Sequence, residues 1–163
     1  MLYWANKMSE LNFGQLMELY SEGNMENARD FYPNLPENQQ ILAAEQSFHQ
    51  YLRECFFKTA GARYALWVAE GRYVSALRLE PYQDGLLLEA LETHPDHRRE
   101  GYAGNLIQAV LAALPGEKIY SHVGKRNTAS LKTHEKCGFQ RILEHAVYAD
   151  GSVLTSAYTY CRT

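Results

Sequence analysis

The sequence predicts an α/β fold organised around one mixed sheet, in the element order β-α-α-β-β-β-α-β-α-β-β. Three observations carry this reading. Residues 64–93 hold three strand-like runs punctuated by tight turns. Residues 86–114 pass from a hydrophobic run through a short loop into an amphipathic helix. Near the C-terminus, Asp150-Gly151 joins two further runs as a hairpin signal.

The elements follow in order. Residues 2–5 suit an edge strand, and a first helix is expected over residues 12–20. Ser21-Glu22-Gly23-Asn24 is expected to break that helix, and the stretch to Pro36 reads as an ordered loop carrying Phe31 and Tyr32. Pro36 can open the next helix, because its missing N–H is not needed at a helix start. Ile41, Phe48, Leu52, Cys55 and Phe56 give that helix an apolar side, and it is expected to end before Gly61. Strands are expected at residues 64–70, 73–82 and 86–93, with turns at Gly71-Arg72 and Asp84-Gly85. In the following helix, Ala103, Leu106, Ile107, Val110, Leu111 and Leu114 recur at helical spacing, and Pro115-Gly116 stops it. Residues 118–123 read as a short parallel strand. Residues 128–136 read as a helix capped by Asn127 or Thr128 and ended by Gly138. Strands over residues 141–148 and 153–161 close the chain.

The most informative segment is Arg98-Arg99-Glu100-Gly101-Tyr102-Ala103-Gly104, which lies between a strand and a helix. A helix start offers unpaired N–H groups and the positive end of a dipole. Small residues there let an anion approach the backbone, and Arg98 and Arg99 add positive charge. The expected ligand is a pyrophosphate; the alternative is an ordinary helix start with surface charges. Neither the Gly-x-Gly-x-x-Gly dinucleotide fingerprint nor the Walker phosphate loop occurs in the chain.

Arg98-x-x-Gly101-x-Ala103, led in by His94-Pro95-Asp96-His97, resembles the acyl-coenzyme A pyrophosphate motif of the GNAT acetyltransferase superfamily. Downstream, the run from Asn127 through Ser130 and His134 to Gly138-Phe139 resembles that family's second motif. The element order is similar to the GNAT fold throughout. The resemblance implies a mixed, mostly antiparallel central sheet with helices on both faces, forming a single domain over residues 1–163. It also implies acetyl-CoA as cosubstrate and an N-acetyltransferase activity toward a primary amine. By the same resemblance, Leu91, Thr93, Arg98, Arg99, Glu100, Gly101, Tyr102, Ala103, Gly104, Asn127 and Ser130 would contact the cofactor. Most of the family carries tyrosine where this chain has His134, and that phenol can protonate the leaving thiolate. A branch resembling the phosphinothricin-type enzymes carries histidine instead, and an imidazolium can donate a proton too.

The resemblance also implies a backbone N–H donor from a bulged fourth strand, near residues 91–93, acting as an oxyanion-type group. The candidate bases are Glu89, Glu92 and His122, each with a plain structural alternative as a solvated or core residue; an amine that arrives deprotonated needs none. Strand alternation puts Leu87, Glu89, Leu91 and Thr93 on one face and Leu88, Ala90 and Glu92 on the other. Glu89 and Glu92 therefore share a face only if a bulge intervenes. Lys125 and Arg126 are further phosphate candidates or solvated loop residues. The resemblance places the acceptor against Tyr20, Phe31, Tyr32, Tyr82 and residues 148–152, a surface suited to a cationic or amphipathic amine.

Composition sets the outer limits. The formal net charge of −3 argues against an electrostatic nucleic-acid binder. Cys55, Cys137 and Cys161 are odd in number and far apart, which favours reduced thiols packed as small hydrophobes. His94 and His97 lack an evident third ligand for a metal. No apolar run is long enough to span a bilayer and residues 1–7 hold no signal-peptide core, so the expectation is a soluble, cytoplasmic protein with no membrane partner. A homodimer is compatible with the family resemblance. The rival class is a non-catalytic acyl-CoA-binding sensor or interaction module, favoured by the missing tyrosine. A third reading keeps the enzyme but gives it a longer acyl group or an oxygen acceptor.

Overall fold

The computed structural model describes Met1–Thr163. Its nine strands are β1 (Leu2–Ala5), β2 (Arg63–Ala69), β3 (Arg72–Tyr82), β4 (Gly85–Thr93), β5 (Ile119–Gly124), β6 (Gln140–Leu143), β7 (Ala146–Val147), β8 (Val153–Leu154) and β9 (Ala157–Arg162). Its five helices are α1 (Phe13–Leu19), α2 (Ser21–Phe31), α3 (Glu37–Glu54), α4 (Tyr102–Ala113) and α5 (Thr128–Lys136). Seven strands form one sheet in the order β1-β2-β3-β4-β5-β9-β6, and β7 and β8 form a separate ribbon.

Every pairing in the large sheet is antiparallel except β4 with β5. That parallel contact is short: Leu86↔Ile119, Leu87↔Tyr120 and Leu88↔Ser121. Beyond Leu88 and Ser121 the two strands part and leave a wedge. At the closed end, a Cβ on Gly85 would collide with the Lys118 carbonyl oxygen, whose own partner is the Leu86 N–H at 2.9 Å. Only glycine permits that approach.

Helices cover both faces. On one, Leu106, Ile107 and Val110 of α4 pack with Leu77, Leu79 and Leu88 of the sheet. On the other, Leu16 and Leu19 of α1 and Leu52 of α3 pack with Tyr64, Leu66 and Ala76.

β4 carries a bulge. Arg78 faces Glu89 and Ala76 faces Glu92, so β4 spends one more residue than β3 between those pairs. Ala90 takes the left-handed conformation, with φ 53°, and absorbs the extra residue. The simple alternation expected from sequence is thereby reversed beyond Ala90. Glu89 and Glu92 lie on the α1–α3 face, while Leu91 packs on the α4 side with Leu88.

Two expectations are corrected. Ser21 to Asn24 do not end in a loop: α2 runs from Ser21 to Phe31, and the Asn24 N–H bonds the Tyr20 carbonyl at 2.9 Å. Burial of Asn24 and Ala28 outweighs the helix-weakening glycine at position 23. The closing hairpin is also not two continuous strands. β6 is irregular against β9, with a register shift between Arg141 and Leu143, and β7 leaves β9 to pair with β8. The Thr159 hydroxyl donates to the His145 carbonyl at 2.7 Å across that break.

Candidate active site

The wedge between β4 and β5 opens onto the loop that precedes α4. Arg99 (φ 65°) and Gly101 (φ 82°) both adopt the left-handed conformation, which curls this loop around the helix start. Gly101 is the N-cap of α4, and no atom lies within 4 Å of the position a Cβ would take. The first-turn N–H groups of α4 thus have open space beside them, as an approaching phosphate requires.

A groove of about 410 Å³ runs along this surface. Its walls are Leu91, Glu92 and Thr93 from β4, and Arg98, Arg99, Gly101, Tyr102, Ala103 and Gly104 from the loop and α4. Asn127 and Ser130 close it from the start of α5, where the Asn127 side chain caps the helix by accepting the Ser130 N–H at 3.1 Å. The expected cofactor residues are therefore brought together in one groove, with the exception of Glu100. That carboxylate faces the His97 Nδ1 at 3.4 Å instead. His97, Ala129 and Thr133 also line the groove and were not anticipated. Their signal is positional: Ala129 and Thr133 stand one helical turn apart, flanking Ser130. His94 Nδ1 accepts the Asp96 N–H at 3.1 Å, and no group of three or more metal-ligating side chains gathers in the fold.

The candidate bases sit on the α1–α3 face at the mouth of the wedge. Glu89 and His122 are the next residues after the last paired position, Leu88↔Ser121, so alternation puts both on that face. The Glu89 carboxyl is raised above its ordinary value by burial, and Arg78, 3.5 Å away, offsets part of the rise. Its Oε1 is buried without a hydrogen-bond donor. His122 lies edge-on between Tyr82 and Tyr148, at ring distances of 5.5 and 5.4 Å. Burial lowers its pKa, and its Nε2 has no partner. Glu92 is more engaged: its Oε1 accepts the Thr93 N–H at 3.2 Å and lies 3.5 Å from Arg98. Burial raises its pKa as well.

His134 is placed differently from an open groove residue. It is 1% exposed and packs against Phe139 at 5.1 Å. Its Nδ1 lies 2.8 Å from the Ser130 carbonyl, and its Nε2 lies 3.0 Å from the Ser121 hydroxyl at the apex of the wedge. Burial lowers its pKa, partly countered by the Ser130 carbonyl.

The expected acceptor residues divide into three places. Tyr20 is buried, and its hydroxyl donates to the Ala90 carbonyl at 2.6 Å, holding the bulge. The Tyr64 hydroxyl, pushed up to about 12 by burial, donates to Tyr20 in turn at 3.4 Å. Phe31 and Tyr32 line a second cavity between α2 and α3. Tyr82 and Tyr148 flank His122, and the Tyr82 hydroxyl bonds the Val147 carbonyl, tying the β7–β8 ribbon to the sheet. Arg78, at the centre of these groups, was missed. Its signal is a lone charge in the otherwise uncharged run from Val74 to Leu79.

Comparison with known proteins gives one consistent result. The model of the acetyltransferase (GNAT) family matches residues 15–139. No protein with a curated description matches the chain significantly. Among solved structures, an aminoglycoside 6'-acetyltransferase type Ii superposes with a TM-score of 0.62 at 14% identity, covering 100% of this chain and 96% of that one. PaiA N-acetyltransferase from Thermoplasma acidophilum, solved in complex with coenzyme A, gives 0.60 at 12% identity over 100% and 99%. The ribosomal-protein-S18-alanine N-acetyltransferase from Escherichia coli gives 0.58 at 15% identity over 99% and 92%. At these identities the superpositions speak for the fold alone. No helix is long and apolar enough to cross a membrane.

Proposed function

The chain belongs to the GNAT acetyltransferase family, acyltransferases that use acetyl-CoA, and on that premise we propose that it acetylates a primary amine of a small molecule or peptide by direct transfer. The observation that carries the reading is the wedge beyond Leu88 and Ser121. It has a groove open to an anion on one side and, on the other, two proton acceptors, Glu89 and His122, whose Oε1 and Nε2 lack a hydrogen-bond donor.

Arg98, Arg99 and the first N–H groups of α4 would hold the pyrophosphate, and Asn127 and Ser130 would face the pantetheine arm. When bound, acetyl-CoA supplies an activated thioester. A backbone N–H at Leu91, past the last pairing with β5, polarises the acyl carbonyl, while that of Thr93 is held by Glu92. Glu89 takes the proton of the arriving ammonium, for which a carboxyl raised by burial is better matched than an ordinary one. His122, neutral and on the same face, is the second acceptor, and Glu92, already held by Arg98 and Thr93, the third. The amine nitrogen forms the C–N bond, and the C–S bond breaks with its electron pair on sulfur. The proton lost by the neutral amine is the one the thiol gains, and the proton Glu89 took from the ammonium passes to solvent, so each ammonium acetylated releases one proton.

The test is thermal unfolding with acetyl-CoA, with NADH and ATP as controls. Selective binding raises stability by about 2.7 kcal/mol at a hundredfold excess over the dissociation constant. Gly101→Glu, which puts bulk and negative charge at the α4 start, is expected to abolish the shift. An absent acetyl-CoA shift, or one that survives in Gly101→Glu, overturns the reading.

A further inference from the structure

Arg78 is a cation in the interior that the transfer chemistry does not use. Its side chain is 14% exposed and lies under the α2–α3 layer. The guanidinium carbon stands 5.1 Å from the Tyr51 ring, 5.5 Å from Phe56 and 5.9 Å from Phe48. These faces steady a cation without completing its hydrogen bonds. Nε is buried with no acceptor, and the nearest carboxylate oxygen, Glu89 Oε1 at 3.5 Å, is itself without a donor. A buried ion pair left this incomplete is costly unless a further group finishes it.

Arg78 forms part of the second cavity, about 410 Å³ in volume, which suits a small molecule. Phe31, Tyr32, Phe48 and Tyr51 supply its apolar walls, and Asn24 and Ser47 add neutral polar groups. Arg78 is the one charged residue lining it. The cavity therefore attracts an anion and repels a polycation, whereas the wedge mouth next to it presents the Glu89 carboxylate to an ammonium. Arg78 Nε and Glu89 Oε1 are 3.5 Å apart, so one small zwitterion lying beside the pair can turn its anionic group to Arg78 and its ammonium to Glu89.

From this geometry we infer that the acceptor is an α-amino acid with an aromatic or branched apolar side chain. Its carboxylate completes Arg78, its amine meets Glu89 at the wedge, and its side chain fills the cavity between α2 and α3. This specificity rests on the acetyl-transfer reading above, with the same bonds formed and broken. It replaces the cationic-amine surface expected from the sequence by a zwitterion site.

The decisive experiment measures thiol release from acetyl-CoA by the wild-type protein with matched acceptors. These are phenylalanine, phenylalaninamide and 2-phenylethylamine, then leucine and 3-methylbutylamine, with rates referred to the neutral-amine fraction. A charge-assisted bond between guanidinium and carboxylate predicts a kcat/KM about 10- to 100-fold higher for the carboxylated member, carried mainly by KM. In Arg78→Gln that preference is expected to collapse while acetyl-CoA still raises the unfolding temperature. Should Arg78→Gln fail to fold, the wild-type series alone decides. Acetyl-CoA stabilisation without faster use of either carboxylated acceptor overturns this inference and leaves the transfer reading standing. Absence of acetyl-CoA stabilisation overturns both.

Discussion

A carbonyl oxygen 2.8 Å from a ring nitrogen requires a proton between them, so His134 Nδ1 is protonated and donates to Ser130. Burial keeps the ring neutral, which leaves Nε2 as an acceptor facing the Ser121 hydroxyl. Ser121 has one proton and two takers, since the Leu88 carbonyl also lies 3.0 Å away. In this arrangement His134 has no free N–H for a leaving thiolate. It ties α5 to β5 at the apex of the wedge and acts as a positioning residue. His134→Ala is expected to cost about 2–4 kcal/mol of stability, as other large-to-small core changes do. Turnover should fall with a raised KM for acetyl-CoA, while both limbs of the pH–rate profile remain. His134→Asn, which can still donate to Ser130, should recover part of the loss. Disappearance of the alkaline limb in His134→Ala, with stability unchanged, would restore an acid role.

At the scale of elements, one ion pair joins α2 to the loop that precedes α4. The Arg98 Nη2 lies 2.8 Å from Glu22 on α2 and 3.5 Å from Glu92 on β4. A pyrophosphate at the start of α4 competes for the same guanidinium. Glu22→Gln should therefore tighten coenzyme A binding, by up to about 5-fold, since an exposed pair is worth roughly 0.2–1 kcal/mol. Titration calorimetry at low salt checks this, and an unchanged or weaker affinity would show that Arg98 is not withheld. The elements also differ in how openly the sequence announces them. α5 appears with the bounds and the Asn127 cap read from its residues, because a capping side chain and a terminating glycine act within one turn. The loop before α4 was legible for the same reason, and the residues read there line one groove. The β4 bulge was implied by the family resemblance and not by the strand's own alternation, because Ala90 is held at φ 53° by a bond from Tyr20, distant in sequence. α2 was missed because Gly23 reads as a breaker, whereas the burial that sustains the helix comes from tertiary packing. Arg78 stands in a run that any pattern assigns to a strand, and only the layer above it shows that its charge is enclosed.

Across the whole molecule, two antiparallel half-sheets meet at three residue pairs, and burial shifts Glu89, Glu92, His122 and His134 around their parting toward their neutral forms. That arrangement has a signature in stability. His122 and His134 are lowered in the folded chain from an ordinary value of 6.5, so the unfolded chain binds more protons once the pH falls below it. Their contribution is fully present above pH 6.5 and is lost as the pH drops through the folded values. Glu89 and Glu92 act in the opposite sense. Raised from 4.5, they contribute most below that value and lose it as the pH climbs through their folded values. Below pH 6.5 the two effects oppose each other, the histidines losing stability where the carboxyls gain it. Calorimetry should show the histidine contribution as an unfolding temperature that falls as the pH is lowered below 6.5. His122→Phe, which keeps an aromatic ring between Tyr82 and Tyr148, should flatten the part of that slope due to His122. A slope unchanged in both His122→Phe and His134→Asn would assign the pH dependence to groups outside the wedge.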